Sequence, residues 1–141
     1  MRTNKFRLML NVTMAGILLV PAFAVAPSSF KLLYALKGGN NPGHPYDGVI
    51  FDAAGNLYGT TYEGGDTSCY NGYGCGTVFK LTPDGTETVL YAFQGGSDGA
   101  VPQASLIMDE AGNLYGTTVR GGNISDCDRY GCGTVFKLAP D

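Results

Sequence analysis

The sequence predicts an all-β chain made of two tandem antiparallel units, and three observations carry that prediction. The eight residues AGNLYGTT occur at 54–61 and again at 111–118. Shifting the chain by 57 positions aligns residues 32–84 with 89–141 without a gap, and 30 of those 53 positions match. Past the first two dozen residues no stretch shows an apolar period near 3.6. Short alternating apolar runs stand there instead, bounded by Asp, Gly, Asn and Pro.

The first element is removed rather than folded. Arg2, Lys5 and Arg7 precede an apolar run over residues 8–23, which ends in Ala22-Phe23-Ala24. A basic start, a short hydrophobic stretch and a small-x-small exit make a secretory signal peptide, residues 1–24. Cleavage after Ala24 is favoured over Ala26, because Pro27 would follow the second cut. The run is interrupted by Asn11, Thr13 and Pro21 and is short for a membrane span of roughly 20 residues. No membrane span is therefore expected after cleavage, and the exported region is 25–141. That region holds six Lys/Arg against twelve Asp/Glu and has no basic patch. It lacks the electrostatic footprint of a nucleic-acid binder.

The two copies divide at about 30–86 and 87–141, and one period shows what each contains. Residues 105–108 are a short apolar run closed by DEAGN, which reads DAAGN in the other copy. Asp opens a tight turn and the Gly accepts positive φ, so this is hairpin chemistry. NLYGTT is the next strand. A glycine-rich loop with two cysteines leads into GTVFKL, and TPDGT turns the chain into ETVLYAF, rich in β-branched and aromatic residues. Residues 30–36 read as a strand of that last type, and residues 133–138 as one of the third type. Four neighbouring antiparallel strands form the blade of a β-propeller. The expected fold is thus two propeller-like blades, an incomplete propeller. A β-sandwich of two hairpin sheets is the alternative, and a solenoid fits poorly because its coils are shorter and lack DG and GN turns. In this reading Gly59 and Gly116 admit close approach of a neighbouring strand.

The motifs GNLYGTT and GCGTVFKLTPDGTETVLYAF resemble the Gloeobacter–Verrucomicrobia (GloVer) tandem repeat of exported bacterial proteins. The resemblance implies export and repeat architecture, with the unit recurring many times, often ahead of a surface-anchoring segment. It transfers no catalytic residue. Two units alone leave blade faces uncovered, and repeat arrays generally need about three. The chain is therefore expected to be a fragment of a longer protein, or to need further blades or oligomer partners to close. Residues 25–141 alone should fold poorly as a monomer.

Cys69, Cys75, Cys127 and Cys132 lie as two pairs in equivalent loops. Export and an even count predict disulfides, paired within each loop as Cys69–Cys75 and Cys127–Cys132. Zinc would need all four on one ion, and redox chemistry would prefer CxxC, so no metal or cofactor is expected. His44 is the only histidine and has no repeated counterpart, which leaves it a loop residue rather than a triad base. Asp52 and Asp109 could pair as glycosidase carboxylates, but their place in D-x-x-G-N marks them as turn formers. Asp126 and Asp128 flank Cys127 without a calcium-loop pattern.

No catalytic residue is assigned. The loops that differ most between copies are 66–72 against 123–129 and 40–47 against 97–104. They supply or adjoin Tyr46, Tyr70, Tyr73, Asp126, Asp128 and Tyr130, which suit stacking on a sugar or peptide. The expected function is a non-catalytic secreted or cell-surface binding or structural module, with carbohydrate or protein as partner. The alternative is the blades of a secreted polysaccharide hydrolase or lyase whose catalytic groups lie outside this chain.

Overall fold

The computed structural model describes residues 28–123, 125, 127 and 129–140. The signal segment 1–24, together with Asp126 and Asp128, lies outside them. Residues Leu32–Asp141 form one compact unit, and the few described residues before it are irregular. The described chain is all-β, with antiparallel sheets and only two single 3-10 turns, at Tyr70–Gly72 and Gly96–Asp98.

The first sheet contains β1 (Gly43–Pro45), β2 (Ile50–Phe51), β3 (Leu57–Glu63), β4 (Thr77–Leu81) and β5 (Glu87–Ala92). β3, β4 and β5 follow one another as a meander, while β1 and β2 both pair with the same edge of β3. The second sheet is β6 (Ile107–Met108), β7 (Leu114–Thr118) and β8 (Thr134–Leu138). A bridge between Ala100 and Arg120 repeats there what β1 does at Gly43 and Glu63. The 57-residue step therefore holds for β2, β3 and β4, which recur as β6, β7 and β8. β5, which opens the second sequence copy, completes the first sheet.

One expected strand is not formed. Residues 30–36 take no strand conformation, although ETVLYA, their counterpart, is β5. β5 is a strand because β4 lies beside it, from Thr77↔Ala92 to Leu81↔Glu87. Residues 30–36 have the composition of a strand but form no ladder; Tyr34 meets β5 through its hydroxyl, which donates to Glu87 Oε2 at 3.4 Å.

AGNLYGTT is explained residue by residue. Asp52 Oδ1 accepts from the N–H groups of Ala54 and Asn56, both at 2.9 Å. Its Oδ2 accepts from Asn56 Nδ2 at 2.8 Å and from the Tyr58 hydroxyl at 3.0 Å. Asp109 repeats the set with Ala111, Asn113 and Tyr115 at 2.7–3.0 Å. Gly55 and Gly112 both sit at φ +82°, which a side chain rarely adopts. Gly59 and Gly116 face Phe79 and Phe136 across the ladder, and each phenyl ring lies over the glycine. Thr61 and Thr77 share a buried hydroxyl pair at 2.7 Å, repeated by Thr118 and Thr134 at 2.8 Å. The tyrosines thus do more than pack: their hydroxyls close the turn.

The core lies between the two sheets. Val78, Phe93, Ala100, Val101, Leu106 and Leu114 are buried together, with Phe136 against them. Phe93 and Phe136 meet edge to face, with ring centroids 5.2 Å apart.

Candidate functional site

The cysteine loops are the part of each unit that glycine shapes most. Gly64, Gly74 and Gly76 have φ between +85° and +93°, and a Cβ at Gly74 would overlap the Gly64 carbonyl. Such a path holds the loop flat against the end of β3, where Gly64 N–H donates to the Tyr73 carbonyl at 2.8 Å. The disulfides Cys69–Cys75 and Cys127–Cys132 span these loops, with Cα separations of 5.5 and 5.4 Å. Local pairing is as the spacing predicts. Tyr70, next to the bridge, takes φ +56° and is half-buried.

Tyr70 from the first loop and Tyr130 from the second converge on one side chain, Arg120. The guanidinium carbon lies 4.6 Å from the Tyr70 ring centroid and 4.4 Å from that of Tyr130. Both are inside cation–π range. Arg129 adds a second cation 4.8 Å from the Tyr130 ring, and its Nη2 donates to the Tyr130 hydroxyl at 2.7 Å. Arg120 Nη1 is buried and has no hydrogen-bond partner. Among the described residues, the two tyrosine rings are what flank this cation. Ser68, Tyr70, Asn71 and Tyr130 line an open cleft of about 400 Å³. The arrangement offers aromatic rings, a hydroxyl and an amide to a ligand, beside a positive charge within an acidic chain.

The structure thus unites two of the expected tyrosines and separates the others. Tyr46 packs near Tyr62 instead, with centroids 6.4 Å apart, and Tyr73 is exposed. Asp126 and Asp128 fall outside the described residues. Arg120 and Arg129 were not among the expected residues. One signal was readable: position 120 corresponds to Glu63 in the first copy, a reversal of charge. Glu63 pairs with His44 Nδ1 at 2.7 Å, so His44 has a carboxylate partner on an exposed edge.

Asp52 and Asp109 are acceptors, not proton donors. Hydrogen bonds from the Asn56 and Asn113 side chains, helped by backbone N–H groups and the tyrosine hydroxyls, hold both carboxyls below their ordinary range. The turn's own atoms occupy the acceptor sites that general acid–base work would use.

The Gloeobacter/Verrucomicrobia repeat matches residues 20–141. No curated protein matches the chain.

Proposed function

Because the chain belongs to the Gloeobacter/Verrucomicrobia repeat family, we propose that it is an exported, non-catalytic repeat module that binds carbohydrate outside the cytoplasm. Its two sheets act as successive propeller-like blades, a reading supported by the 57-residue step and by the face-to-face core. Export is supported by the signal-like first 24 residues and by two disulfides, which persist in oxidising compartments. Among the described residues no helix is long and apolar enough to cross a membrane.

The observation that carries the binding reading is the convergence of Tyr70 and Tyr130. Tyr70 lies in, and Tyr130 adjoins, the loops that differ most between otherwise matching copies, and loops on a rigid scaffold are where binding concentrates. A half-buried ring, Tyr70, and an exposed one, Tyr130, beside Ser68 and Asn71 fit a sugar, which offers a C–H face and a hydroxyl edge.

Affinity electrophoresis against a panel of neutral and uronate-containing polysaccharides tests this. At least one polysaccharide should retard the protein, and Tyr70→Ala should weaken that retardation about tenfold, equivalent to about 1.4 kcal/mol. The polysaccharide should remain uncleaved. Absence of retardation by every member, or retention unchanged in Tyr70→Ala and Tyr130→Ala, would sink the reading.

A further inference from the structure

The contact between the two sheets joins unlike faces. The first sheet and its cysteine loop contribute Thr60, Cys75 and Val78, all at most 4 % exposed. The second contributes Val101, Pro102 and Leu106, none more than 2 % exposed, together with Phe136. Val101 N–H donates to the Cys75 carbonyl at 2.8 Å, and the Thr60 hydroxyl donates to the Ala104 carbonyl at 3.3 Å.

The 57-residue step gives each half of this contact a counterpart elsewhere in the molecule. Thr60, Cys75 and Val78 become Thr117, Cys132 and Val135, and all three are exposed, Val135 at 83 %. Val101, Pro102 and Leu106 become His44, Pro45 and Val49, again all exposed. Val49 lies over Gly59 beside Phe79 as Leu106 lies over Gly116 beside Phe136, so the two occupy the same face of their sheets. Phe136 becomes Phe79, which is already buried at 6 % exposed, but one molecule otherwise carries both halves of a well-packed contact uncovered. Surfaces related in this way associate head to tail.

The same step supplies a missing strand. β4 has β5 along its outer edge, whereas β8 has no strand there among the described residues. Residues 30–35 are the counterpart of β5 and share its LYA. Leu32 and Leu33 stand exposed at 65 % and 57 %.

We propose that a second copy of this chain docks on the second sheet, adding its residues 30–35 to the free edge of β8 and covering Val135 with its His44–Pro45–Val49 face. The register follows from β4 and β5, where Val78 faces Tyr91 and Phe79 faces Val89. Val135 then faces the second copy's Tyr34, and Phe136 faces its Leu32. The second copy's His44 N–H meets the Cys132 carbonyl, as Val101 meets Cys75. A contact between unlike faces propagates, and it closes where sheets of this kind complete a propeller of about four to eight, that is, two to four copies. This inference is independent of the carbohydrate reading.

Sedimentation velocity of the exported chain, with Val135→Asp and Val49→Asp, tests the docking. Both positions are exposed within one molecule, so circular dichroism should be unchanged, while melting of each single variant should fall because assembly no longer supports the fold. Wild type should sediment as a closed assembly, and each variant alone as a monomer. An equimolar mixture should form a dimer and nothing larger, because one variant keeps each half of the contact. A monomeric wild type, an assembled single variant, or a mixture that stays monomeric would overturn the proposal.

Discussion

Gly116→Ala should destabilise the chain more than Gly59→Ala, although the two glycines occupy the same place in identical octapeptides. A Cβ at Gly59 would lie 2.8 and 2.9 Å from Phe79 Cζ and Cε1 and 3.1 Å from Val49 Cγ1. At Gly116 the distances are 2.5 and 2.9 Å to Phe136 and 3.0 Å to Leu106 Cδ2. Carbon atoms prefer about 3.5–4.0 Å, so each ring must retreat by about 1 Å. Overpacking of this kind costs about 1–3 kcal/mol, offset by about 0.5–1 kcal/mol because alanine suits a strand better than glycine. Phe79 is the more buried ring, at 6 % exposed, so the order rests on the closer ring contact at Gly116 and on whether the third neighbour can yield. Val49 is 48 % exposed and can move, while Leu106 is 2 % exposed inside the inter-sheet core. Gly59→Ala should cost about 1 kcal/mol and Gly116→Ala about 2 kcal/mol or more. Gly48→Ala is the control, since its nearest atom would be Ser105 Oγ at 3.7 Å and its φ is unstrained. It should be neutral or stabilising by about 0.4–1 kcal/mol. Urea midpoints at one fixed protein concentration read all three, with unchanged m reporting that only stability moved. Adding Phe136→Leu to Gly116→Ala should recover part of the loss as a coupling of about 0.5–3 kcal/mol. A Gly116→Ala protein as stable as Gly48→Ala would refute the account of the octapeptide.

Two further outcomes follow from the turns and loops. Replacing Cys69 and Cys75 together by Ser should lower stability by about 2 kcal/mol, the chain-entropy value for so short a loop. Non-reducing peptide mapping should find Cys69 joined only to Cys75, and a bridge to Cys127 or Cys132 would reject the separate loops. The lowered carboxyl pKa values of Asp52 and Asp109 set a direction for acid unfolding. In the unfolded chain these groups titrate near about 3.9. Their contribution is therefore fully present above about pH 4 and is lost as pH falls through the lower folded values. Asp52→Asn with Asp109→Asn should reduce stability at pH 7 and flatten its decline in acid. Urea midpoints from pH 7 to pH 2 read this, and an acid limb as steep as wild type would count against it.

Much of the fold was legible because its instructions are local. D-x-x-G-N places an acceptor, a positive-φ residue and a returning amide within five positions, and the structure uses each as expected. Disulfide pairing was legible because each loop holds its own pair. Where the outcome depends on a distant partner, the sequence was silent or misleading. Residues 30–36 have the composition of β5 but form no ladder such as β4 gives β5. β1 carries Pro45 and a histidine at φ +52°, so it has no strand pattern; it forms because β3 offers an edge. At the candidate site the tyrosines were legible as loop aromatics. Arg120 was not, because it acquires its role only when two loops 57 residues apart close over it.

The Asp52 and Asp109 turns bear on how the chain finds its pairings at all. β3 and β7 begin with the same five residues, and β4 and β8 are identical, so β3 could ladder with β8 as readily as with β4. Such exchange is the characteristic misfolding hazard of repeated sequence. Each carboxylate bonds only to residues two to six positions ahead, so the β2–β3 and β6–β7 corners can form before any distant strand arrives. Hairpins of this kind close in about 1–10 μs. The Cys69–Cys75 bridge then shortens the tether from β3 to β4, and the Cys127–Cys132 bridge does the same for β7 and β8. Correct partners are thereby favoured by proximity where they cannot be distinguished by sequence. A newly copied unit would bring both devices with it, so the array could lengthen by duplication without new rules for pairing.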